Sequence, residues 1–405
     1  MRIGASKKKY ASSQQQLRDG NKLSIFNLIR KAPASRITLA KLAKLSPTTV
    51  STLVEDLIST GWVIESETVN STARGRRPIM LSVNASRGYI ATVELLSRGY
   101  ICTIYDICLN RVSGLRVRNS PCGSVNISAT ICELLRAKRI PLYRLLGIHV
   151  MFPGMINANT NELRFSAVIS KEDMPESSFI QELEKRFPET QVLLSTNGSI
   201  IAFAEFISTE QRSSLPLLSI NIDEGIIGGV VMCDRQSETR VCFPIEIGHI
   251  IIDLQGTVCK CGNHGCLEAL CSTVQLFRMV NERTDMDLTY SESFGADCNL
   301  RAMEQIAQRL AQYDSALTTV LSDYVYNLCC GLVSVVNLIG VQSIRIGGDI
   351  SVLGSTFLNM VRTTLHEQFY PLNSTDSIEI ELINSDYEHV RCAMVIMSMD
   401  ELFKR

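Results

Sequence analysis

Long uninterrupted apolar runs are absent from this sequence, whose apolar segments are short and broken by polar residues, so we expect no membrane insertion. Residues 1–16 are basic and polar, without the apolar stretch of a secretory signal, which predicts a cytoplasmic location. Tryptophan occurs once, and charged residues make up only 20% of the chain against 45% hydrophobic residues. This composition is typical of a globular protein, and a length of 405 residues predicts more than one domain.

Cysteine, by contrast, is abundant, with 14 residues. Most of them lie singly in apolar segments, as Cys102, Cys132 and Cys329 do, where a thiol behaves as a small buried hydrophobe. Because no secretory signal is predicted, we expect free thiols in a reducing compartment rather than a disulfide framework.

Positive charge is concentrated at one end of a chain whose formal net charge is −1. Residues 1–83 hold fourteen Lys and Arg against five Asp and Glu, so the remainder of the chain is acidic. A basic N-terminal segment joined to an acidic body predicts a polyanionic partner for that segment alone.

Residues 21–83 carry three helical patterns followed by two strand patterns, and we expect a flexible basic tail over residues 1–20 before them. The third helical pattern opens at Ser46-Pro47, a good N-cap followed by proline at the first helical position. Its apolar residues recur at helical spacing, while polar residues face outward near its N-terminus, the end with which a recognition helix contacts bases. These features predict a winged helix-turn-helix domain.

The predicted DNA contacts lie on the helix-turn-helix and on the loop between the two strand patterns. The loop arginines flank a glycine and can follow a narrow minor groove, where negative potential is enhanced. The outward positions of the third helix carry no Arg, Asn or Gln, so we expect the wing to supply much of the affinity. An ordinary three-helix unit with a solvated loop is the alternative, but pattern and charge together favour DNA binding. The predicted DNA-binding residues are Ser35, Arg36, Thr48, Thr49, Ser51, Thr52, Arg74, Gly75, Arg76 and Arg77.

From residue 88 onward, strand patterns alternate with helical patterns, which indicates an α/β architecture. The most specific motif there is a histidine, His249, followed by three cysteines within eight residues, Cys259, Cys261 and Cys266. Three thiolates and an imidazole can hold one tetrahedral, structural Zn²⁺ per chain, and the intervening glycines permit tight turns between the sulfurs. His264 is a rival fourth ligand, and a chance group of buried cysteines is the alternative to a metal site.

This stretch resembles the signature of the ROK family (repressors, open reading frames and kinases). Other matching segments are Ser35-Arg36-Ile37, Gly75-Arg76-Arg77, Pro153-Gly154 and Glu246-Ile247-Gly248. The resemblance covers essentially the whole chain and has the domain order of the repressor branch, within which it is most similar to repressors of glucose-uptake and N-acetylglucosamine genes. It implies a two-lobed actin-like (ribonuclease-H-like) sugar-kinase fold with a zinc knuckle. The first implied lobe comprises residues 84–194 and 382–405, and the second lobe, with the zinc site and an oligomerisation surface, comprises residues 195–381.

The resemblance also implies roles for individual residues. In the family, zinc is held by the residues that match His249, Cys259, Cys261 and Cys266. Sugar hydroxyls are bound by those that match Glu246, His249 and Glu268. A histidine that ligates zinc through one ring nitrogen can present the other to the sugar. Thr196 and Asn197, whose hydroxyl and amide both donate and accept, complete the predicted effector site. A vestigial pocket whose carboxylates and zinc serve the structure only is the alternative.

Phosphotransfer is not expected, because three elements of a family kinase are altered. The first phosphate loop of the kinases, Asp-x-Gly-Gly-Thr, matches residues 94–97, which lack the glycines that let backbone amides approach phosphate. The second loop carries Asp223 and Glu224, which would repel a nucleotide. The catalytic Asn-Asp pair corresponds to Thr196-Asn197, and an amide cannot accept a sugar hydroxyl's proton as a carboxylate does. We therefore predict no enzymatic activity.

Together these features predict a sequence-specific DNA-binding regulator that represses sugar uptake or catabolism genes. A homodimer or homotetramer would bind a double-stranded operator with two winged helices, since twofold symmetry matches a pseudo-palindrome. A sugar, a sugar phosphate or contact with a sugar-transport protein would relieve repression. The main alternative is a sugar kinase with an appended DNA-binding domain. A zinc hydrolase would need an open zinc position, which three thiolates and a histidine close.

Overall fold

The computed structural model of the protein describes residues 4–66, 79–157, 160–166, 168–208, 215–233, 240–289, 296–368, 378–383 and 387–403. Its elements form an N-terminal unit of helices with a small sheet, followed by two five-stranded sheets with helices packed on them. Short 3-10 turns occur at Ala85–Arg87, Leu142–Arg144, Ile247–His249 and Asp349–Leu353.

The N-terminal unit consists of α1 (Gly4–Lys31), β1 (Ala34–Ser35), α2 (Arg36–Ala43), α3 (Pro47–Ser59), β2 (Val63–Ser66) and β3 (Met80–Val83). Its strands form an antiparallel sheet of order β1-β3-β2. Two serines cap the short helices: the Ser35 hydroxyl accepts from the Thr38 N–H, and the Ser46 hydroxyl accepts from the Thr49 N–H. Apolar residues from all three helices form its core, among them Ile25, Phe26, Leu39, Val50, Leu53 and Leu57.

Residues 4–20, within the segment for which a flexible basic tail is predicted, belong to a helix, and the flexibility of the segment stays a prediction. Helix α1 begins at Gly4 and continues without a break to Lys31. The segment contains no proline and is rich in Lys, Gln, Arg and Leu, which favour helix, whereas one interior glycine, Gly20, costs only about 1 kcal/mol. A polar composition suits a helix as well as an irregular segment.

The first five-stranded sheet has the order β10-β7-β4-β5-β6. Its region contains β4 (Tyr89–Leu96), β5 (Gly99–Asp106), β6 (Arg111–Arg118), α4 (Ser124–Ala137), β7 (Leu145–Phe152), β8 (Met155–Asn157), β9 (Glu162–Phe165), α5 (Phe179–Arg186) and β10 (Gln191–Thr196). Strands β10, β7 and β4 run parallel to one another, whereas β5 pairs antiparallel with β4 and β6 pairs antiparallel with β5. Apolar residues of α4 and α5, such as Ile131 and Phe179, bury one face of the sheet together with Val93 and Ile148.

The second five-stranded sheet has the order β13-β12-β11-β14-β15. The remaining elements are α6 (Asn197–Ser208), β11 (Leu217–Ile222), β12 (Ile226–Cys233), β13 (Arg240–Ile245), α7 (Leu267–Cys271), α8 (Thr273–Arg283), α9 (Ala296–Ala311), α10 (Ser315–Ile339), β14 (Ser343–Gly347), α11 (Gly354–Gln368), β15 (Glu379–Leu382) and α12 (Tyr387–Leu402). Helices α8 to α11 cover one face and form the largest core with it. The predicted boundary at residues 194/195 falls inside β10, the last strand of the first sheet, which ends at Thr196. The other predicted boundary, at residue 382, falls at the end of β15, which belongs to the second sheet. The division into lobes 84–194 plus 382–405 and 195–381 stays a prediction.

Helix α6 lies against the second sheet at a contact that only glycine permits. A Cβ atom on Gly198 would come within 2.0 Å of the Gly228 carbonyl oxygen, and one on Gly229 would come within 2.0 Å of the Gly198 carbonyl oxygen. Backbone therefore meets backbone at the start of α6, next to Asn197. This contact positions the N-terminus of α6 beside the β12–β13 hairpin.

One helix, α10, is long and apolar enough to cross a membrane by length and composition. More than half of its most apolar window, 56%, is buried inside the protein. Its residues Leu321, Tyr324 and Leu328 are fully buried in the core on the second sheet. Such burial is that of the core helix of a globular domain.

Helix α12 contacts the first sheet, α6 and the N-terminal unit. Phe403, directly after α12, packs against Phe26 and Trp62 with ring centroids 4.9 and 4.7 Å away. On the sheet side, the buried His149 of β7 donates from Nδ1 to the Met394 carbonyl, 2.9 Å away. Burial lowers the pKa of His149 to about 4, so the imidazole is neutral at physiological pH.

Candidate functional site

The four predicted metal ligands come together in the structure. The ligand atoms of His249, Cys259, Cys261 and Cys266 all lie within 4.8 Å of one another. The Cys259 Sγ is 3.7 Å from His249 Nδ1, and the Cys261 and Cys266 sulfurs are also 3.7 Å apart. Tetrahedral ligands with metal–sulfur bonds of about 2.3 Å are separated by about 3.8 Å, so these distances fit one four-coordinate ion. The rival ligand, His264, is exposed and is not part of this group.

The turns that bring the sulfurs together depend on two glycines. Gly262 and Gly265 have φ angles of +94° and +63°, and a Cβ atom on Gly265 would lie 1.6 Å from the Asp253 carbonyl oxygen. Backbone hydrogen bonds close the turn, with the Cys259 N–H donating to Asn263 over 2.7 Å. Burial and the neighbouring thiols raise the pKa of Cys266 to about 12. A bound cation would offset the free-energy cost of ionising these buried thiols and would hold the sulfurs as thiolates.

Two carboxylates border the metal-ligand group. Glu268, in the first turn of α7, accepts from the Ile226 N–H over 2.9 Å through Oε2. Burial raises the pKa of Glu246, nearby His249 lowers it, and Glu268 raises it further. A Cβ atom on Gly248 would lie 3.4 Å from the Cβ of Glu268, so the 3-10 turn that carries His249 packs directly on α7. The structure thus brings Glu246, His249 and Glu268 together.

Thr196 and Asn197 lie where β10 passes into α6. Thr196 is buried, and its hydroxyl is 3.2 Å from that of Ser199. The Asn197 Oδ1 atom is buried and has no hydrogen-bond partner within the described part of the chain. Because Gly198 packs on Gly228, Asn197 lies close to the hairpin whose second strand leads to Glu246. An unpaired buried acceptor at this place suits a ligand that donates a hydrogen bond.

The segment that matches the first kinase phosphate loop is occupied by an ion pair. Glu94, at 2% exposure, accepts from Arg391 Nε over 2.5 Å and from Nη2 over 3.2 Å. Arg391 also reaches Glu388 over 3.4 Å, and the Tyr105 hydroxyl donates to Glu388 over 2.6 Å. A carboxylate and a guanidinium of the protein itself therefore fill this place. The segments around Glu94 and Asp223, whose carboxylates both act on Tyr387, are together called the cleft.

The segment that matches the second phosphate loop is also engaged internally. Asp223 accepts from the Asp349 N–H over 2.7 Å, and a Cβ atom on Gly348 would lie 2.5 Å from the Asp223 Oδ1 atom. Burial and the nearby Asp349 carboxylate raise the pKa of Asp223 to about 6. Glu224 forms an exposed ion pair with Lys260 over 3.1 Å. Asp223, whose carboxylate is predicted to repel a nucleotide, thus accepts the hydrogen bond of the Asp349 N–H, which directly follows Gly347-Gly348.

Sequence reasoning did not single out Arg391 or Asp349 as partners of these loops. Glu94 and Arg391 are 297 positions apart, and Asp223 and Asp349 are 126 apart. A spacing pattern carries no signal over such separations. The carboxylate at position 94, the one charged residue on an otherwise uncharged strand, is the signal in the sequence that a cation lies opposite.

The predicted DNA-binding residues are placed in part. Thr48, Thr49 and Thr52 are exposed near the N-terminus of α3, and Ser51 is half-buried. Arg36 is ion-paired with Glu65 of β2 over 2.9 Å, and Ser35 is buried as the N-cap of α2. Arg74, Gly75, Arg76 and Arg77 lie outside the described residues. Contact of any of these residues with DNA stays a prediction.

Comparison with known proteins places this geometry in a family. The ROK family profile matches residues 120–394, more than half of the chain, and the protein belongs to the ROK family. The xylose repressor of Caldicellulosiruptor bescii is 24% identical over 95% of this chain and 97% of its own length. The DNA-binding transcriptional repressor Mlc of Escherichia coli is 24% identical over 89% of this chain and 88% of its own.

Solved structures share the fold. A ROK family transcriptional regulator that is a homolog of Mlc superposes with a TM-score of 0.73 at 20% identity, over 96% of this chain and 98% of its own. The ROK hexokinase of Thermus thermophilus superposes with a TM-score of 0.58 at 17% identity, over 78% of this chain and 100% of its own. The regulator therefore matches a part of the chain for which the hexokinase has no counterpart.

Replacing Asp223 by Asn should stabilise the protein at neutral pH. The pKa of Asp223 in the fold, about 6, lies above the ordinary 3.8, so its ionised form is disfavoured and stability is lost as pH rises through 6. The amide keeps an acceptor for the Asp349 N–H but has no charge to desolvate. The gain in unfolding free energy should be small below pH 4 and reach about 1–3 kcal/mol by pH 8.

Urea denaturation across this pH range measures that difference, with Asp287→Asn as the control at an exposed aspartate. A stability difference for Asp223→Asn that does not vary with pH would contradict the assignment.

Proposed function

We propose that the protein is a cytoplasmic, sequence-specific DNA-binding repressor of genes for sugar uptake or catabolism. The observation that carries the proposal is the N-terminal unit: helices α1 to α3 with the sheet β1-β3-β2, joined to a body of the ROK family. The N-terminus of α3 presents Thr48, Thr49 and Thr52 to solvent, as the recognition helix of a winged helix-turn-helix would. Full-length relatives named as repressors support the same function.

The wing is proposed to lie between β2 and β3. These strands pair in antiparallel register, and residues 67–78 connect them. That connection contains Arg74, Arg76 and Arg77, whose charges suit phosphates and a narrow minor groove. A homodimer or homotetramer would present two such units to the two halves of a pseudo-palindromic operator.

The sugar-kinase alternative is disfavoured by charge. At the two places where a kinase would receive nucleotide phosphates, this chain has the Glu94–Arg391 pair and the Asp223 carboxylate. Asp223 already occupies a backbone N–H that a phosphate would need. We propose that the body binds ligands without catalysing phosphotransfer.

The metal group is proposed to hold one structural Zn²⁺ per chain as a zinc knuckle. Three thiolates and His249 Nδ1 complete a tetrahedral shell, so no position is left for a reacting water. The ion would supply no chemistry of its own. It would fix the turn that carries His249 to the segment that leads into α7.

The effector is proposed to be an uncharged sugar bound near Asn197, Glu246 and Glu268. Within the described part of the chain, the charges that shift the pKa of Glu246 are those of His249, which lowers it, and Glu268, which raises it. Carboxylates accept hydrogen bonds from sugar hydroxyls, whereas a phosphate next to them would be repelled. The unpaired Asn197 Oδ1 is a further acceptor for a hydroxyl. A sugar phosphate and a sugar-transport protein are the alternative signals.

DNA binding is tested with purified protein and duplexes tiled across its own genomic neighbourhood. We expect salt-sensitive binding to one segment, weakened about 10- to 100-fold by the triple change of Arg74, Arg76 and Arg77 to Ala. If all three contact phosphates, the slope of log affinity against log salt should fall by about three. The control is a triple alanine variant at the exposed body arginines Arg118, Arg136 and Arg139. No preference for any segment by the unmodified protein would refute the proposed function.

Zinc is tested by metal analysis of protein purified without chelator. We expect about one zinc per chain, its loss in Cys261→Ser, and a lower melting temperature for that variant, because metal binding contributes directly to folding. His264→Gln is the matched control and should keep both the metal and the stability. Full metal content in Cys261→Ser, or zinc lost from His264→Gln instead, would show that the ligand set is wrong.

The effector class is tested by a thermal-shift screen that pairs each aldose with its phosphate ester. A sugar at 100 times its Kd should stabilise the protein by about 2.7 kcal/mol, and the matching phosphate should have no effect. Asn197→Ala and Glu246→Gln should abolish the shift while leaving operator binding unchanged. Stabilisation by the phosphate but not by its parent sugar would contradict an uncharged effector.

A further inference from the structure

Helix α12 contacts the cleft at its start and the N-terminal unit at its end. Arg391 lies in its second turn, and Phe403 follows its last residue. With a rise of 1.5 Å per residue, these two positions are about 18 Å apart along one continuous helix. A displacement at one end of so short a helix is transmitted to the other.

The cleft end is held by charge. The guanidinium of Arg391 binds Glu94 with two nitrogens, over 2.5 and 3.2 Å, and both side chains are largely buried. A bidentate pair of this kind has one preferred geometry and is stronger than a single charged contact. Because Glu94 belongs to β4 at the centre of the first sheet, the pair fixes α12 relative to the cleft.

The other end is held by aromatic packing. The Phe403 ring packs against both Phe26 of α1 and Trp62, which directly precedes β2. Phe26 and Trp62 also contact each other edge to face at 5.5 Å, and the Lys22 ammonium lies 5.8 Å from the Phe403 ring centroid. The N-terminal unit therefore rests on the residue that directly follows α12.

The middle of α12 contacts both halves of the body. His149 links the Met394 carbonyl, through Nδ1, to the Ser195 hydroxyl, 2.9 Å from its Nε2. Ser195 directly precedes Thr196 and Asn197 of the proposed effector site. His389 donates to the Ala204 carbonyl of α6 over 2.8 Å. A displacement at the end of β10, or of α6 as a whole, would therefore act on α12.

We propose that α12 couples the cleft to the DNA-binding unit. The Glu94–Arg391 ion pair, called the latch, holds the first end of the helix. The aromatic cluster of Phe26, Trp62 and Phe403, called the joint, holds the N-terminal unit at the other end. A change at the cleft that separates Glu94 from Arg391, which both lie in the first predicted lobe, frees α12, and the N-terminal unit loses its fixed position. The consequence for operator binding rests on the proposed function, whereas the mechanical link does not.

The single tryptophan of the chain reports on the joint directly. Trp62 is 8% exposed and is the chain's only tryptophan, so emission excited at the red edge of the tryptophan band, where tyrosine does not absorb, comes from this contact alone. The test variant combines Glu94→Gln with Arg391→Met, which removes both charges and leaves no buried ion unpaired. Acrylamide quenching of Trp62 should rise by about twofold, with a red-shifted emission, at temperatures well below unfolding. Phe403→Ala, which opens the joint itself, should give the same change.

The matched control is Arg345→Met. Arg345 is another buried arginine, at 3% exposure, paired with Glu379 and Glu381 on the second sheet. It should lower stability without changing Trp62 quenching. Unchanged quenching in a Glu94→Gln, Arg391→Met variant that has native circular dichroism would overturn the latch. If that variant does not fold, the conservative Arg391→Lys replaces it: increased quenching supports the latch, and unchanged quenching overturns it.

Operator binding separates this proposal from the function on which it rests. We expect the Glu94→Gln, Arg391→Met variant to bind a complete operator about fivefold more weakly, because two loosely held DNA-binding units engage two half-sites less well. Its affinity for non-specific DNA should stay unchanged. If wild-type protein binds no operator, the proposed function fails, and Trp62 quenching still decides the coupling. Weaker operator binding without a change in Trp62 would place the effect elsewhere than the joint and overturn the proposal.

Discussion

The buried ion pair between Glu94 and Arg391 is the contact on which the arrangement of the cleft and the N-terminal unit depends. A carboxylate at 2% exposure on a central strand must be paired, since an isolated buried charge costs several kcal/mol. Arg391 meets this requirement only while α12 lies across the first sheet. Phe26 and Trp62 pack on Phe403, which directly follows that helix. The pairing of Arg391 with the Glu94 carboxylate therefore also determines where the N-terminal unit rests.

The cleft has the backbone of a kinase-like fold, but it carries carboxylates where a kinase would bind phosphate. A phosphate would need free backbone donors and cationic neighbours, whereas here Asp223 accepts the Asp349 N–H and Arg391 is committed to Glu94. Each of these contacts satisfies a group that a nucleotide would otherwise have to satisfy. The consequence is a cleft whose loops are held by the protein itself, so that its remaining polar groups, chiefly carboxylate and amide oxygens, favour hydroxyl donors.

Local features of the structure were predictable from the sequence, and distant ones were not. The caps at Ser35 and Ser46 and the cysteine spacing act over a few residues, so the pattern alone indicated the helix starts and the knuckle. The choice between His249 and His264 needed the chain path, because both lie near the cysteines in sequence. The Glu94–Arg391 pair joins positions 297 apart, and only the packing of α12 on β4 brings them together. For α1, polar composition did not distinguish an exposed helix from a tail.

The metal-ligand group offers a way to keep the neighbouring polar groups in place. Glu246 precedes His249 by one turn of chain, and Glu268 follows Cys266 at the start of α7. Ligation of one ion by His249 and Cys266 would therefore fix the spacing of both carboxylates, although neither touches the ion. The Ile226 N–H already holds one oxygen of Glu268, which leaves the other for a ligand. A structural metal in this position would serve the proposed recognition of a ligand, because it would determine where two hydrogen-bond acceptors stand relative to Asn197.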